Sequence, residues 1–181
     1  MPGNNILDAT KPRKQHMITI QFAVDLPDGR SVTEQDLTEN FQDLQGAAAA
    51  GSPYGSLIFR DDSGQNDGFY DTLGYLMTNL CLTAIPQLDR GVEVIVEYFS
   101  SPGQMKLTPE GEEIALYDSE RGPDCLARFP KKEFLTALLA CVGRYFEFQE
   151  KLGGSGDGTA LALAFQSDAY DSVKAALEEK S

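Results

Sequence analysis

The acidic, glycine-punctuated stretch DDSGQNDG, residues 61–68, is the first candidate for chemistry because it is rich in possible oxygen ligands for a cation. An EF-hand calcium loop needs a glycine at its sixth position and a glutamate at its twelfth. Counted from Asp62, those positions hold Asp67 and Leu73. We therefore interpret the stretch as a solvated loop between a strand and a helix, with Asp67 or Asp71 capping the helix. A looser cation site is the alternative.

Other residue types that could support catalysis lack partners at suitable spacing in the sequence. The stretch GGSGDG, residues 153–158, follows a predicted helix and lacks the GK[ST] ending of a phosphate-binding loop, so it is interpreted as a helix end and linker. His16 is the single histidine, which leaves no multi-histidine metal site to build. The cysteines Cys81, Cys125 and Cys141 show no CxxC spacing. We expect no enzyme, no metal and no cofactor.

Negative charge is concentrated in the middle of the chain. Of the formal net charge of −13, residues 61–120 carry −10, from 12 acids and 2 bases. Such a field repels nucleic-acid phosphates and anionic lipid and accelerates the encounter with a basic partner. We therefore expect a basic protein partner and neither nucleic acid nor membrane. The alternative is that the acidity serves solubility alone.

Length and composition indicate one globular domain. A chain of 181 residues buries a core of its own, and an apolar fraction of 41% is ordinary for such a domain. No run approaches the roughly 18 apolar residues that a membrane-spanning helix needs. The N-terminus lacks the continuous apolar segment of a secretion signal, so we expect a cytoplasmic protein.

The stretch GVEVIVEYFSS, residues 91–101, is the best candidate for a central strand. Alternation along a strand sends successive side chains to opposite faces. One face is apolar and is expected to pack on helices; it carries Val92, Val94, Val96 and Tyr98. The other face mixes acids with large apolar groups and is expected to meet water or a partner; it carries Glu93, Ile95, Glu97 and Phe99.

The patterns along the chain predict an α+β single domain, with a mostly antiparallel sheet of about five or six strands and amphipathic helices packed on one face. Short strands separated by tight turns favour antiparallel pairing. Thr33 followed by Asp36 predicts a helix start, for a helix at about 33–45. Apolar spacing predicts two further helices, one ended by Pro86 and a long one at about 131–151.

The domain organisation predicted from these patterns has four parts. Residues 1–16 form a mobile N-terminal tail, and residues 17–152 form the core domain. A glycine-rich linker follows at 153–158. Residues 159–181 carry a C-terminal helix that packs on the core.

The predicted binding surface combines the acidic and apolar face of the central strand with nearby acids. We expect the partner to contact Glu93, Ile95, Glu97, Phe99, Glu112, Glu113, Asp118, Asp61, Asp62 and Asp67. Tight and fast interfaces often combine apolar anchors with charge complementary to that of the partner. The alternative is that the last helix covers this face and leaves the glutamates at its rim.

The segments GVEVIVEYFSSPG, TPEG, EEIALYD and FPKKEFLTALL lie in residues 56–152, a part of the chain that resembles small acidic immunity proteins of bacterial toxin systems. The resemblance implies a protein that binds and neutralises a cognate toxin and performs no chemistry. It assigns no residue, because that class shares no motif. Two alternatives are a secretion chaperone for an effector protein and a small enzyme using paired carboxylates and a cation. Either a monomer or a homodimer is compatible with the sequence.

Removal of divalent metal ions should leave the fold intact. No group of candidate ligands has the spacing of a metal site, and the apolar helices supply a core of ordinary size. We expect the same melting temperature by circular dichroism before and after treatment with EDTA. EDTA presaturated with magnesium is the control for ionic strength, and a large drop with free EDTA alone would contradict the prediction.

Overall fold

The computed structural model describes residues 18–49, 54–60, 66–152, 168 and 170–179. Its strands are β1 Thr19–Asp25, β2 Ser31–Thr33, β3 Tyr54–Arg60, β4 Asn66–Thr72, β5 Val94–Glu97, β6 Gln104–Glu110, β7 Glu113–Asp118 and β8 Ala127–Pro130. Its helices are α1 Glu34–Glu39, α2 Phe41–Ala49, α3 Leu73–Asn79, α4 Ile85–Asp89 and α5 Lys131–Lys151. A π-helical turn, Leu80–Ala84, joins α3 to α4. Residues 170–178 are also helical, and 179 forms a turn.

The strands pair antiparallel in two sheets of four, rather than in one sheet of five or six. Sheet A has the order β2-β1-β3-β4 and sheet B the order β5-β6-β7-β8. The strand β4 leads directly into α3, so β5 begins only after a long helical segment. It then pairs with β6, the next strand in the chain, and so begins a second sheet. The prediction of an α+β single domain with antiparallel strands is confirmed.

The strand β5 lies at the edge of sheet B, so its prediction as a central strand is wrong. It runs only over Val94–Glu97 and, among the described residues, pairs with β6 alone. Gly91 shortens the strand at its start, because it adopts a φ of +77° in the turn that closes α4. Within β5 the predicted alternation holds, since Val94 and Val96 are buried and Ile95 is exposed. The prediction is wrong for Val92, which is 50% exposed because it precedes the strand, in the turn where its N–H donates to the Gln87 carbonyl oxygen.

One apolar core joins both sheets to the helices. Phe59 of sheet A packs against Phe129 of sheet B with ring centroids 6.3 Å apart. The Phe134 ring on α5 lies 5.8 Å from Phe59 and 5.6 Å from Phe129. All three side chains are buried. The helix α5 therefore links the two sheets through aromatic contacts.

Two helical predictions were wrong in their boundaries. Pro86 does not end the helical segment, because the π-helical turn Leu80–Ala84 just before it shifts the backbone hydrogen-bond pattern at the point where proline lacks an N–H. The helix predicted at about 33–45 is divided at Asn40, although Thr33 and Asp36 do form a capping box at its start. The long helix predicted at 131–151 is confirmed with the same bounds.

The helical residues 170–178 pack on the core beside α5. The Tyr170 ring meets Phe146 edge-on at 6.3 Å, and Val173 and Leu177 also pack against the core. A Cβ at Gly143 would lie 2.5 Å from the Tyr170 hydroxyl oxygen, so glycine permits this close approach. The predictions for 1–16 and 153–158 lie outside the described residues.

Phe134→Ala should destabilise the protein severely, because it leaves a cavity between the two sheets and α5. We expect a loss of about 3–5 kcal/mol in the free energy of unfolding, measured by urea denaturation. Phe99→Ala is the matched control, because the Phe99 side chain is 69% exposed, and it should cost less than about 1 kcal/mol. Equal losses in the two variants would contradict the shared core.

Candidate functional site

The outer side of β5 exposes large apolar side chains between acids. Ile95 is 50% exposed and Phe99 is 69% exposed, and Glu93 and Glu97 are also exposed. Strand alternation produces this arrangement, because the intervening residues Val94, Val96 and Tyr98 point into the core. The exposure predicted for this face of the strand is therefore present in the structure.

The helical segment 73–89 extends this exposed area. At one end of β5 the Phe99 ring lies 5.7 Å from the ring of Tyr75 on α3. At the other end the Val92 N–H donates to the Gln87 carbonyl oxygen at 2.9 Å. Strand and helix are thus held side by side. The β5 surface is defined by the exposed residues on and beside β5 together with Tyr75: Tyr75, Val92, Glu93, Ile95, Glu97 and Phe99.

The acids of the β5 surface have one basic neighbour that the sequence pattern did not indicate. Lys106 is the register partner of Ile95 across β5 and β6. Its Nζ lies 3.9 Å from a Glu93 carboxylate oxygen, which also accepts a hydrogen bond from the Thr108 hydroxyl at 2.8 Å. An exposed ion pair at this distance contributes little energy. Glu93 therefore remains available to a stronger cationic partner.

Glu112 and Glu113 extend the acidic area at the Glu93 end of sheet B. Both are exposed at the turn between β6 and β7, where Gly111 has a φ of +67°. The neighbouring Glu110 is paired instead, with Arg128 Nε at 3.1 Å. The hydrogen bond from Arg128 lowers the pKa of the Glu110 carboxyl.

Asp118 is not part of the exposed acidic area, contrary to the sequence prediction. It pairs in register with Met105, whose side chain faces the core, and it is only 4% exposed. Its carboxylate pairs with Arg121 Nε at 3.1 Å and accepts the Glu120 N–H at 3.0 Å. Of the predicted loop acids, Asp67 belongs to β4, while Asp61 and Asp62 lie outside the described residues.

Asp71 has a role that sequence reasoning missed. It was predicted as a possible helix cap, but it lies in β4 and is fully buried, and the N-cap of α3 is Thr72. Its carboxylate accepts the Phe99 N–H at 2.8 Å and the Ser100 N–H at 2.9 Å. The turn after β5 is thereby fixed against sheet A. The available signal was alternation, which puts Asp71 on the same face as Phe69.

A cleft of about 600 Å³ lies on the other side of this turn, between β4 and the residues that follow β5 and β7. Its walls include four aromatic rings and an ion pair, from Tyr54, Phe69, Tyr70, Tyr98, Asp118 and Arg121. The Arg121 guanidinium lies 5.2 Å from the centroid of the Phe69 ring and donates to the Gly68 carbonyl oxygen. Aromatic faces and carboxylates together are typical of sites that hold cations.

Titratable groups in the described part of the chain do not assemble a recognisable reactive centre. Across these residues, no three side chains among His, Cys, Asp and Glu are grouped to hold a metal ion. Burial raises the pKa of the Cys81 thiol to about 11 and that of Cys141 to about 12. Both thiols therefore stay protonated near neutral pH, where a protonated thiol is a poor nucleophile.

Comparison with known proteins identifies no relative. No family model, no curated protein and no solved structure matches the chain. Among the described helices, none combines the length and the apolar character required to cross a membrane. Function is therefore inferred from the β5 surface, the cleft and the distribution of charge.

Asp71→Asn should loosen the turn that carries Phe99. The amide has the shape of the carboxylate, but it lacks the charge and turns an N–H₂ group toward one of the two backbone N–H donors. We therefore expect a loss of about 2 kcal/mol or more in the free energy of unfolding. Hydrogen exchange should accelerate most at the amides of Phe99 and Ser100. Asp124→Asn, at an exposed bend, is the matched control and should change neither quantity. Unchanged exchange at residues 99 and 100 would contradict this role of Asp71.

Proposed function

We propose that the protein is a non-enzymatic acidic binding protein, an immunity protein that binds and neutralises a cognate basic toxin in the cytoplasm. The observation that carries the proposal is the clustering of exposed apolar groups. Six large hydrophobic side chains are exposed among the described residues, and four of them belong to the β5 surface. Single exposed apolar residues are normal, whereas a contiguous group marks an interaction site.

The charge around these anchors favours a basic partner. Glu93 and Glu97 alternate with Ile95 and Phe99 along one face, and Glu112 and Glu113 extend the acidic area. The middle third of the chain carries −10 of the total of −13. Complementary charge of this kind steers the encounter, while the apolar anchors slow dissociation once they are desolvated.

A toxin as the partner follows from the resemblance of residues 56–152 to immunity proteins. A secretion chaperone, the other class of acidic binding protein with these general features, would instead hold an effector destined for export. The alternative that the C-terminal helix covers the predicted face gains no support, because Ile95 and Phe99 stay 50% and 69% exposed while Tyr170 of that helix packs on Phe146 of α5.

The partner is to be identified by affinity capture from the native cell, followed by mass spectrometry. We expect a basic protein that is encoded beside this chain and whose toxicity is suppressed when the two are expressed together. The capture is repeated with Phe99→Ala, which should recover less of the same protein. A captured export substrate that is not toxic would support the chaperone, and an acidic partner would overturn the electrostatic argument.

Reversing two charges on the β5 surface should slow partner capture without unfolding the protein. For Glu93→Lys with Glu97→Lys we expect an association rate about one order of magnitude lower at low salt, with the difference shrinking as salt increases. Glu178→Lys with Glu179→Lys is the matched control: it changes the net charge equally, at exposed positions at the end of the C-terminal helix. Surface plasmon resonance over a series of salt concentrations measures the association rate of both double variants.

Phe99→Ala serves in the same experiment to separate anchoring from steering. It should leave the association rate nearly unchanged and raise the dissociation rate about tenfold. If the double lysine variant binds the identified partner as the unaltered protein does at every salt concentration, the β5 surface is not the binding site.

A further inference from the structure

The Tyr98 hydroxyl is an unused buried polar group on the wall of the cleft. The Tyr98 side chain is 7% exposed, and its hydroxyl oxygen makes no hydrogen bond of normal geometry within the described part of the chain. Burial, next the negative charge of Asp118, and then a hydrogen-bonding contact with the Asp118 carboxylate raise the pKa of this hydroxyl, so it stays protonated and neutral. Asp118 thus engages the hydroxyl only weakly, and the hydroxyl oxygen keeps acceptor capacity that a donor on a ligand can use.

The cleft already accommodates one guanidinium, that of Arg121. This group lies over the Phe69 ring at 5.2 Å, pairs with Asp118 at 3.1 Å and donates to the Gly68 carbonyl oxygen. Glu120 also lines the cleft, and its carboxylate adds a second negative charge. The walls thus present acceptors and an aromatic face suited to a planar cation, with more negative than positive charge.

Tyr54 and Tyr70 form a second aromatic platform in the cleft lining. The rings of Tyr54 and Tyr70 stack with centroids 6.0 Å apart and an interplanar angle of 15°. The Tyr70 hydroxyl donates to Asp25 Oδ2 at 2.8 Å, which holds the ring in place. Flat aromatic faces bind cations through the negative charge of their π-systems, and arginine is the side chain that most often uses them.

We propose that this cleft receives an arginine side chain of the basic partner, which stacks on Tyr54 and Tyr70 and donates hydrogen bonds to the Tyr98 hydroxyl oxygen and the Glu120 carboxylate. The inference rests on the proposed function, because the partner supplies the arginine. The cleft adjoins the β5 surface: Phe99 belongs to that surface, while Tyr98 and Ser100 line the cleft.

Arginine fits these walls better than lysine does. Its guanidinium is planar, is weakly hydrated and directs several N–H groups in fixed directions, so it can stack and donate at the same time. The lysine ammonium is a compact, strongly hydrated point charge that gains less from an aromatic platform. The cleft should therefore distinguish arginine from lysine by the planar guanidinium, and not by positive charge alone.

The test uses the full chain, labelled with ¹⁵N, and three small probes in NMR titrations. Nα-acetyl-L-arginine amide should shift the amide signals of residues 68–70, 98–101 and 118–121, with a Kd in the millimolar range. The corresponding citrulline amide has nearly the same shape without the charge, and it should bind at least about tenfold more weakly. The lysine amide should bind more weakly than the arginine amide. Equal binding of the three probes, or shifts confined to other residues, would overturn the proposal.

Tyr98→Phe tests the role of the hydroxyl. The variant should change its melting temperature little, because the hydroxyl it loses makes only a weak contact with Asp118 and no hydrogen bond of normal geometry. Its affinity for the arginine amide should fall by about threefold to tenfold. Tyr117→Phe is the matched control, because Tyr117 lies on the outer face of sheet B with its hydroxyl on Glu110. An unchanged affinity in Tyr98→Phe would overturn the assignment of the hydroxyl.

The outcome is separable from that of the proposed function. If the arginine amide does not bind although a basic toxin is captured through the β5 surface, this inference fails and the proposed function stands. If the arginine amide binds in the cleft but the captured partner is acidic, the proposed function fails and the cleft remains a guanidinium site.

Discussion

The fully buried carboxylate of Asp71 is the interaction on which the arrangement of surfaces depends. A charge removed from water needs hydrogen-bond partners, and Asp71 obtains them from the backbone N–H groups of Phe99 and Ser100. Sheet A thereby holds the turn that follows β5. The β5 surface lies on one side of this turn and the cleft on the other, so one buried acid positions both. The aromatic packing of Phe59 on Phe129 joins the same two sheets through the core.

The position of β5 at the edge of sheet B carries a risk as well as a function. An exposed apolar edge strand is a template for pairing with another copy of the same chain. Glu93 and Glu97 oppose such self-pairing, because two copies would bring like charges together. The same glutamates attract a basic partner. The acids on this strand therefore favour a complementary surface over a second copy.

Local patterns predicted the elements whose stability is itself local. The capping box of Thr33 and Asp36 closes within four residues, with the Thr33 N–H donating to Asp36 Oδ2 at 3.0 Å. The apolar stripe of α5 repeats over enough turns to define the helix and its buried face. Alternation likewise predicted which side chains of β5 are exposed, but it failed at Val92, which precedes the strand. The prediction that Pro86 ends the helix was wrong because a π-helical turn before it lets the helical segment continue past the proline.

By itself, the sequence determined the α+β class, the excess of negative charge in residues 61–120 and the faces of the strands. Each of these depends on residue type and on spacing within one segment. Only the tertiary structure decided that β5 is an edge strand, that Asp118 is buried and that Lys106 lies beside Glu93. The cleft, too, exists only because the tertiary structure brings its walls together. These features require contacts between residues distant in the chain, and periodicity within a segment contains no information about which segment will lie against it.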